Sequence, residues 1–325
     1  MRSLQEFGWS ALAAAAMLFT QLPASQAQQW PAKPIRWIVP VAPGGATDAT
    51  ARLLQEPVSK ILGQPIVVEN KPGGAGTIAT EAAVRSPPDG YTFGIVYTSH
   101  AGNPALLGSL PYDSVKDITP VAFFWRAYLA FAVHPDVPVK SLAELIDRAK
   151  KAPGTVAYAT GGVGLAAHFA GARLEQEAGI KMTHTPYRGG GPALTDVLGG
   201  HVPVLVANIS LVAPHVESAK IRVIAVTSPG RSPLLPNVPT VAESGFPGYQ
   251  VSEWFGFIGP AGLPDEIVQK MNAAINEAAR RPDIAEQIQK MGIVTNLGTP
   301  AAFKDILAEE TRITTEVIRK GNIKP

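Results

Sequence analysis

Three times along the chain, an apolar stretch ends in a glycine-rich turn and a helical pattern follows. The first turn, PVAPGGATD at Pro40–Asp48, comes directly after the apolar run 35–39. The other two are KPGGAG at Lys71–Gly76 and TGGVG at Thr160–Gly164. A strand, a glycine turn and a helix in succession form the repeating unit of an α/β fold. The pattern therefore predicts mostly parallel sheets that are covered by helices on both faces.

The first glycine turn has the composition of an anion-binding site. Gly44 and Gly45 have no Cβ, so their backbone N–H groups can approach a ligand closely. The start of the following helix adds roughly half a positive charge. A carboxylate or a phosphate is the expected ligand of such a turn. A glycine-rich turn between a strand and a helix is also an ordinary element of any α/β protein.

The first 27 residues have the layout of a secretory signal peptide. Arg2 precedes an apolar stretch from Trp9 to Thr20, and the small residues Ser25 and Ala27 follow it. We expect cleavage after Ala27. The apolar stretch is shorter than the about 20 residues that a membrane-spanning helix needs, and no later segment is long enough. We therefore expect an exported protein that does not span the membrane.

The composition narrows the classes of function. The chain has 325 residues, of which 46% are hydrophobic and 17% are charged, as in a globular protein with room for two domains. The net charge is +2 and no basic stripe is interleaved with aromatic residues, so nucleic acid is not an expected partner. The sequence contains no cysteine. A disulfide framework, a thiolate metal site and a thiol nucleophile are therefore excluded.

The order of the predicted elements indicates that one lobe is inserted into another. After a short strand at 130–133, the capping box of Ser141 and Glu144 begins a new series of strands and helices. The run Trp254–Ile258 then predicts a strand that returns to the first unit. We expect residues 28–130 and 253–325 to form lobe one and residues 131–252 to form lobe two. The chain would cross between the lobes twice, which is a hinge topology.

Two segments give further expectations. The stretch from Asn103 to Pro120 has little periodicity and predicts a long ordered excursion. The pair Thr240 and Glu243 has capping-box spacing and predicts a short helix.

Motifs of catalysis and metal binding are largely missing. The sequence has no GxSxG, HExxH or P-loop motif, and its six histidines are scattered without ligand spacing. We expect no catalysis, no metal and no cofactor. One alternative stays open, because two stretches match the dinucleotide pattern G-x-G-x-x-A. They are Gly74, Gly76 and Ala79, and Gly162, Gly164 and Ala167. The second hypothesis is therefore an exported or mis-targeted dinucleotide-dependent enzyme.

The glycine turns and several other stretches together resemble the extracytoplasmic solute receptors of the tripartite tricarboxylate transporter system, the Bug receptors. The stretches are PVAPGGATD at Pro40, VVENKPGGAG at Val67, NPALL at Asn103, LPYDSVKDITPVA at Leu110, YATGGVGLAAH at Tyr158, TPYRGGGPALTDVLGG at Thr185 and RSPLLPNVPTVAESGFPGY at Arg231. The resemblance covers essentially the whole chain after residue 27. It implies an α/β, two-lobed periplasmic binding protein fold, similar to type II, with a ligand cleft between the lobes.

The resemblance also implies a function and partners. It implies a monomeric periplasmic receptor that captures a small organic carboxylate by lobe closure. Such a receptor delivers its ligand to a membrane permease of the tripartite tricarboxylate type. Presentation of the ligand to a sensor kinase is a further alternative that the sequence leaves open.

The resemblance places the ligand-binding residues in two loops and at two nearby positions. In lobe one they are Val41, Pro43, Gly44, Gly45, Ala46, Thr47 and Asp48. In lobe two they are Tyr158, Thr160, Gly162, Val163, Gly164, Leu165, Tyr187 and Asn208. Two helix N-termini that face each other across a cleft can hold one carboxylate from both sides. Because Asp48 is itself anionic, we expect it to shape its loop from the first helical turn.

Three positions are less polar than the family usually has. Val41 stands where an aromatic residue is common, Leu165 where a serine is common, and Ala207 where an acidic residue often precedes the equivalent of Asn208. These changes predict a ligand with one carboxylate at the glycine turns, an apolar or aromatic body and at most one further polar group. Citrate is expected to bind poorly. Arg126 and Arg188 are the candidates for a second charged contact.

Overall fold

A computed structural model describes residues 29–44, 46–291 and 293–324. The predicted signal peptide and Gly45 lie outside the described residues. The strands are β1 (Ile35–Val39), β2 (Ile66–Asn70), β3 (Thr92–Tyr97), β4 (Ile118–Val133), β5 (Ala157–Thr160), β6 (Thr183–Pro186), β7 (Val204–Asn208), β8 (Arg222–Val226), β9 (Ser252–Pro260) and β10 (Val294–Thr295). The helices are α1 (Ala46–Leu62), α2 (Thr77–Val84), α3 (Ser99–Leu107), α4 (Leu142–Lys151), α5 (Ala166–Ala178), α6 (Gly190–Leu198), α7 (Ile209–Val212), α8 (Asp265–Arg280), α9 (Pro282–Lys290) and α10 (Pro300–Gly321).

Strand β4 runs through two groups of strands. Its first part, up to Tyr128, pairs antiparallel with β9. Its last part, residues 129–133, pairs antiparallel with β7 and β8. In the first group, β1 pairs in parallel with β2 and β3, and β3 pairs antiparallel with β9. In the second group, β5 pairs in parallel with β6 and β7. We call the first group lobe one and the second group lobe two.

The sheets are mixed, which differs from the mostly parallel sheets that the sequence predicts. The reason is the connection between the lobes. The chain leaves lobe one along β4 and returns along the adjacent β9, so these two long neighbours must run in opposite directions. Strand β3, on the other side of β9, is antiparallel to it as well.

Each lobe has its own apolar core. In lobe one, Trp37, Phe124 and Phe257 are fully buried between the sheet and helices α1 and α8. In lobe two, Phe131 and Leu174 are fully buried on one face of the sheet, and Leu205 belongs to a second core on the other face. Burial of such side chains stabilises each lobe by about 1.5–3 kcal/mol for each large residue. Within the described ranges, no helix is long and apolar enough to cross a membrane.

The carboxyl ends of the strands in the two lobes face each other. In lobe one, the part of β4 that pairs with β9 ends at Tyr128, which lies opposite Ser252. The parallel strands β1 and β3 end at the same edge of the sheet. In lobe two, β7 ends at Asn208, which lies opposite Leu129. Since Tyr128 and Leu129 are adjacent, the two carboxyl edges meet at this junction. Ligands of open α/β sheets bind at such edges.

Two further expectations from the sequence were also wrong. The segment from Asn103 to Pro120 is not irregular throughout, because it contains most of α3 and the start of β4. The interior Pro104 and the run of small residues 101–103 hide the helical periodicity of α3.

Thr240 and Glu243 do make the reciprocal capping hydrogen bonds, at 2.9 and 2.7 Å. Only a turn follows them, since the chain reaches Gly245 with φ of 108° and cannot continue as a helix.

Candidate functional site

Asp48 organises the first glycine turn from within. Its carboxylate accepts the Gly44 N–H at 2.9 Å, the Asn70 amide at 2.8 Å and the Arg52 Nε at 3.0 and 3.1 Å. Asn70 also donates to the carbonyl oxygen of Val41 at 2.9 Å. Burial alone raises the pKa of Asp48, but the hydrogen bonds from Arg52, Gly44 and Asn70 outweigh burial and lower that pKa below its usual value. The carboxylate is therefore ionised and holds the turn in one shape.

This network decides which groups of the first turn remain open to a ligand. The N–H of Gly44 is used by Asp48 and is not free in this conformation. Pro43 and Gly44 are exposed, whereas Thr47 is half-buried. Gly45 and the side chain of Ala46 lie outside what the structure describes. A ligand role for the first turn stays a prediction.

The second glycine turn, Lys71–Gly76, packs beside the first. A Cβ on Gly76, which has φ of 89°, would come within 2.9 Å of the Tyr97 ring and 3.5 Å of Pro40. The carbonyl oxygen of Ala75 accepts hydrogen bonds from Ser99 at 2.7 Å and Asn103 at 3.0 Å. The first match to the dinucleotide pattern therefore lies in a turn that is held against α3 by hydrogen bonds.

The third glycine turn, after β5, is supported by polar side chains from the interior of lobe two. The buried Thr160 hydroxyl lies 2.7 Å from His184 Nε2 and accepts the Gly162 N–H at 3.2 Å. The N–H of Gly164 donates to His168 Nδ1 at 3.3 Å. Gly162 and Gly164 have φ of 151° and 75°, a conformation that favours glycine. The half-exposed Val163 lies at the tip of this turn.

His168 and His184 stack under this turn. Their ring centroids are 3.8 Å apart and their planes differ by 12°. Burial, together with the neighbouring His184, lowers the pKa of His168 to about 3. Burial also lowers the pKa of His184 to about 4. Both rings are therefore neutral at neutral pH, and each supports the turn as an uncharged hydrogen-bonding group.

A small cavity lies at the junction between the lobes. Its volume is about 80 Å³. One water needs roughly 10–15 Å³ on such a measure, so the cavity has room for several waters or for one small polar group of a ligand. Its walls are formed by Leu129, Gly161, Leu165, Ala167, Gly190, Val206, Ala207, Asn208, Leu211 and Glu253. Of the predicted ligand-binding residues, the structure brings Leu165 and Asn208 to this cavity.

Two helices begin at one wall of the cavity. Helix α5 starts at Ala166 and α6 starts at Gly190, and the loops before them are joined by a hydrogen bond from the Gly189 N–H to the Gly161 carbonyl oxygen at 2.9 Å. The first N–H groups of a helix have no partner within the helix and carry a partial positive charge. This wall is therefore suited to an anion. Gly161 and Gly190 are not among the predicted ligand-binding residues, although GGG at 189–191 repeats the signal of a glycine turn before a helix.

Other predicted residues lie away from the cavity. Tyr158 is 1% exposed, and its ring packs against Gly171 in the lobe-two core. Thr160, two residues along the strand, is also fully buried. The half-buried Tyr187 donates its hydroxyl proton to Asp196 Oδ2 at 2.5 Å, and this hydrogen bond raises the pKa of Tyr187. These residues support the loops that line the cavity.

A larger groove of about 620 Å³ lies on the opposite face of β4 and β9. There Arg126 donates hydrogen bonds to Ser252 and Glu310, both at 2.7 Å. The charges that line this groove therefore pair with one another. The strand ends and the helix N-termini converge on the small cavity instead, so we identify the small cavity as the candidate site. Arg126 does not reach it, and Arg188 is exposed.

Glu253 is a cavity residue that the sequence analysis missed. Its Oε2 accepts a hydrogen bond from Asn208 Nδ2 at 2.8 Å. Burial raises the pKa of Glu253, while the hydrogen bond from Asn208 opposes that rise. A signal was present in the sequence, since Glu253 is the one charged residue in the run 251–260.

This architecture, with a small-ligand cavity at the facing edges of two α/β lobes joined by two crossing segments, defines a two-lobed binding protein. A sequence model described as "Tripartite tricarboxylate transporter family receptor" matches residues 50–323. The chain belongs to this family. The predicted family and the predicted fold class are thereby confirmed.

Solved structures of similar proteins cover nearly the whole chain. The periplasmic binding protein BugD is 30% identical with a TM-score of 0.75, over 91% of this chain and 99% of that one. An adipate-bound protein from R. palustris is 32% identical with a TM-score of 0.78, over 91% and 99%. The malate-bound MatC from Rhodopseudomonas palustris is 30% identical with a TM-score of 0.75, over 89% and 100%.

Proposed function

We propose that the protein is an exported, monomeric receptor that captures a small organic carboxylate between its lobes. It delivers the ligand to a membrane permease of the tripartite tricarboxylate type. Residues 28–130 and 253–325 act as lobe one, and residues 131–252 act as lobe two. The signal peptide, residues 1–27, directs the chain to the periplasm. The function requires no catalysis, metal or cofactor.

The observation that carries this proposal is the position of the small cavity. It lies where the carboxyl edges of both lobes meet, and one wall consists of the starts of α5 and α6. Helix N-termini stabilise an anion by backbone N–H groups and by their partial charge. Relatives of this chain with bound adipate and bound malate support a carboxylate as that anion.

The crossing segments support a mechanism of hinge closure. The lobes are linked by β4 and by the chain that enters β9, and no long linker separates them. A ligand that contacts both lobes binds the closed arrangement more tightly than the open one, so it shifts the population toward closure. The permease then recognises the closed receptor.

The dinucleotide hypothesis is less consistent with the size of the cavity and with the hydrogen bonds of the glycine turns than the receptor function is. A dinucleotide is larger than the drug-sized ligands that fill pockets of roughly 300–1,000 Å³, whereas the cavity has about 80 Å³. In the second match to the dinucleotide pattern, the N–H groups of Gly162 and Gly164 already donate to Thr160 and His168 within the turn.

A thermal-shift panel tests the proposal. Purified protein is heated with monocarboxylates, dicarboxylates and aromatic carboxylates, with NAD in parallel wells. A ligand at about 100 times its Kd stabilises the folded protein by about 2.7 kcal/mol, so at least one acid should raise the melting temperature while NAD should not. A shift with NAD and with none of the acids would contradict the receptor function. Uptake of the identified acid by cells with and without this receptor then tests delivery.

A further inference from the structure

Helix α10 contacts both lobes. It has 22 residues and is therefore about 33 Å long. Near its start, the ring of Phe303 packs against Phe123 and Trp254 of lobe one, with ring centroids 5.5 and 6.3 Å apart. Near its end, Val317 and Ile318 pack against α5 of lobe two. The helix therefore joins the lobes in addition to the two crossing segments of the chain.

The contact at the end of α10 is apolar and buried. Five side chains from three helices form it: Leu106 of α3, Phe169 and Ala172 of α5, and Val317 and Ile318 of α10. Each of them is at most 9% exposed. The side-chain amide of Gln176 on α5 also donates a hydrogen bond to the carbonyl oxygen of Val317 at 2.9 Å. We call the five apolar residues the three-helix cluster.

The three helices approach closely at Gly102 of α3. A Cβ on Gly102 would lie 3.0 Å from Thr314 Cγ2, 3.1 Å from Phe169 Cζ and 3.3 Å from Ile318 Cδ1. Packing at this distance leaves no space for water between the helices. Lobe two therefore cannot swing away from lobe one without separating Phe169 from α3 and α10.

The apolar cluster is the main contact between α5 and α10 that such a separation would break. Beside it, the two helices line the groove of about 620 Å³. The ion pairs Arg173–Glu177 on α5 and Arg312–Glu316 on α10 each join residues of the same helix. Pairs within one helix persist when the helices move apart.

The three-helix cluster is formed while the lobes enclose the small cavity. Helix α5 belongs to both places, since Ala167 lines the cavity and the next turn of the helix enters the cluster. A Cβ on Gly164 would lie 2.8 Å from Leu106. Across the cavity, Asn208 of lobe two donates to Glu253 of lobe one at 2.8 Å. The cluster therefore accompanies the closed arrangement of the lobes.

We propose that the three-helix cluster acts as a latch that stabilises the closed arrangement of the two lobes. This inference rests on the proposed function, which supplies lobe closure, and adds that residues outside the cavity set part of the ligand affinity. Opening exposes the apolar side chains of the cluster to water, which is unfavourable. The apparent affinity of a ligand for the closed arrangement rises with the fraction of molecules that are closed. The latch therefore raises the affinity without contacting the ligand.

Cysteine labelling tests lobe opening without any ligand, because the chain has no cysteine of its own. Ala167→Cys places a thiol in the wall of the cavity, where opening of the lobes exposes it. Ala170→Cys places a thiol on the same helix but in the lobe-two core, where Ala170 is 0% exposed. This second thiol reacts only when lobe two itself unfolds. The reaction rate with a maleimide is measured for both.

The variant Ile318→Ala removes part of the latch, and Leu307→Ala is the matched control. Both residues lie on α10 and are 3% and 4% exposed, but Leu307 packs in lobe one. Ile318→Ala should raise the labelling rate of Ala167→Cys about fivefold or more, because loss of buried contacts destabilises the closed arrangement. Leu307→Ala should not raise it. The labelling rate of Ala170→Cys should be the same in the two backgrounds.

Titration calorimetry with adipate and L-malate measures the effect on binding. Two similar solved structures hold adipate and malate. For a probe that binds, Ile318→Ala should weaken the affinity about fivefold or more, whereas Leu307→Ala should leave it within about twofold. If Ile318→Ala fails to fold, Val317→Ala removes fewer atoms from the same cluster and takes its place.

The outcomes separate the latch from the receptor function. A cavity thiol that reacts no faster with Ile318→Ala than with Leu307→Ala would overturn the latch, whether or not either acid binds. A tighter affinity in Ile318→Ala would also overturn it, because the cluster would then favour the open arrangement. If neither probe nor any acid of the wider panel binds, the receptor function is wrong, and the labelling rates still decide whether the cluster holds the lobes together.

Discussion

The hydroxyl of Thr227 donates a hydrogen bond to the carbonyl oxygen of Val251 at 2.6 Å. The same hydroxyl accepts the N–H of Leu129 at 2.9 Å. Leu129 lies on β4, where the chain enters lobe two, and Val251 directly precedes β9, where the chain returns. Thr227 is fully buried. One side chain therefore ties together the two crossing segments.

Replacement of Thr227 by valine should destabilise the protein. Valine has a similar shape but no hydroxyl, so the N–H of Leu129 and the oxygen of Val251 lose this partner. Loss of partners for buried groups of this kind costs about 1–3 kcal/mol. Urea denaturation measures the change, and Thr227→Ser, which keeps the hydroxyl, is the control. A valine variant as stable as wild type would show that the hydroxyl does not hold the crossing segments.

Replacement of Gly162 by valine should weaken ligand binding while the fold persists. Gly162 has φ of 151°, and a Cβ there would lie 3.4 Å from the carbonyl oxygen of Tyr187. The strain should displace the turn that leads into α5 and reduce the affinity for the carboxylate about tenfold or more. Gly230→Val is the control, because Gly230 has no positive φ in the range that strains other residues and a Cβ there would meet no atom within 4 Å. Equal affinity in the Gly162 variant, measured by calorimetry, would rule out a role for this turn.

The stacked histidines predict a loss of stability in acid. The pKa of His168 is lowered to about 3 and that of His184 to about 4, below the usual 6.5. Between pH 6.5 and about 4, the unfolded chain binds these protons and the folded protein does not, so stability falls as the pH falls. Urea midpoints from pH 7 to pH 4 measure this slope. His184→Asn should flatten it, whereas His201→Gln, at an exposed histidine without this stacking, should not. An identical slope in His184→Asn would refute this assignment.

The apolar wall at Leu165 predicts the preference among acids. Leu165 precedes α5 and lines the cavity, where its side chain offers no hydrogen bond. Leu165→Ser adds a hydroxyl at the helix start, which should improve binding of polar di- and tricarboxylates relative to aromatic or aliphatic monocarboxylates. Competition binding measures the ratio. If wild type already prefers citrate to benzoate and to aliphatic acids, the predicted apolar site is wrong.

The family and the two-lobed fold could be predicted because the glycine turns and their neighbouring stretches are distinctive together. The full length of β4 could not be predicted in the same way. Its residues 121–125 are all buried and apolar, without the alternation that marks a strand, and Pro120 interrupts the run. Tertiary pairing with β9 decides the structure there.

The candidate site was only partly predictable for a geometric reason. Tyr158 and Thr160 lie directly before the third glycine turn, which leads to the cavity. The alternation of side chains along β5 does not say which of its faces points into the lobe. Glu253 and Asn208 are 45 residues apart and meet because of the register of β9, β4 and β7. No local pattern carries that register.

Small-angle X-ray scattering with and without the carboxylate tests the central claim, capture of a ligand by closure of two lobes. The lobes already approach each other where a Cβ on Gly164 would lie 2.8 Å from Leu106 on α3. With a saturating acid identified by the thermal-shift panel, the radius of gyration should fall and the profile should match a closed arrangement. An unchanged profile at saturation would contradict closure around the ligand.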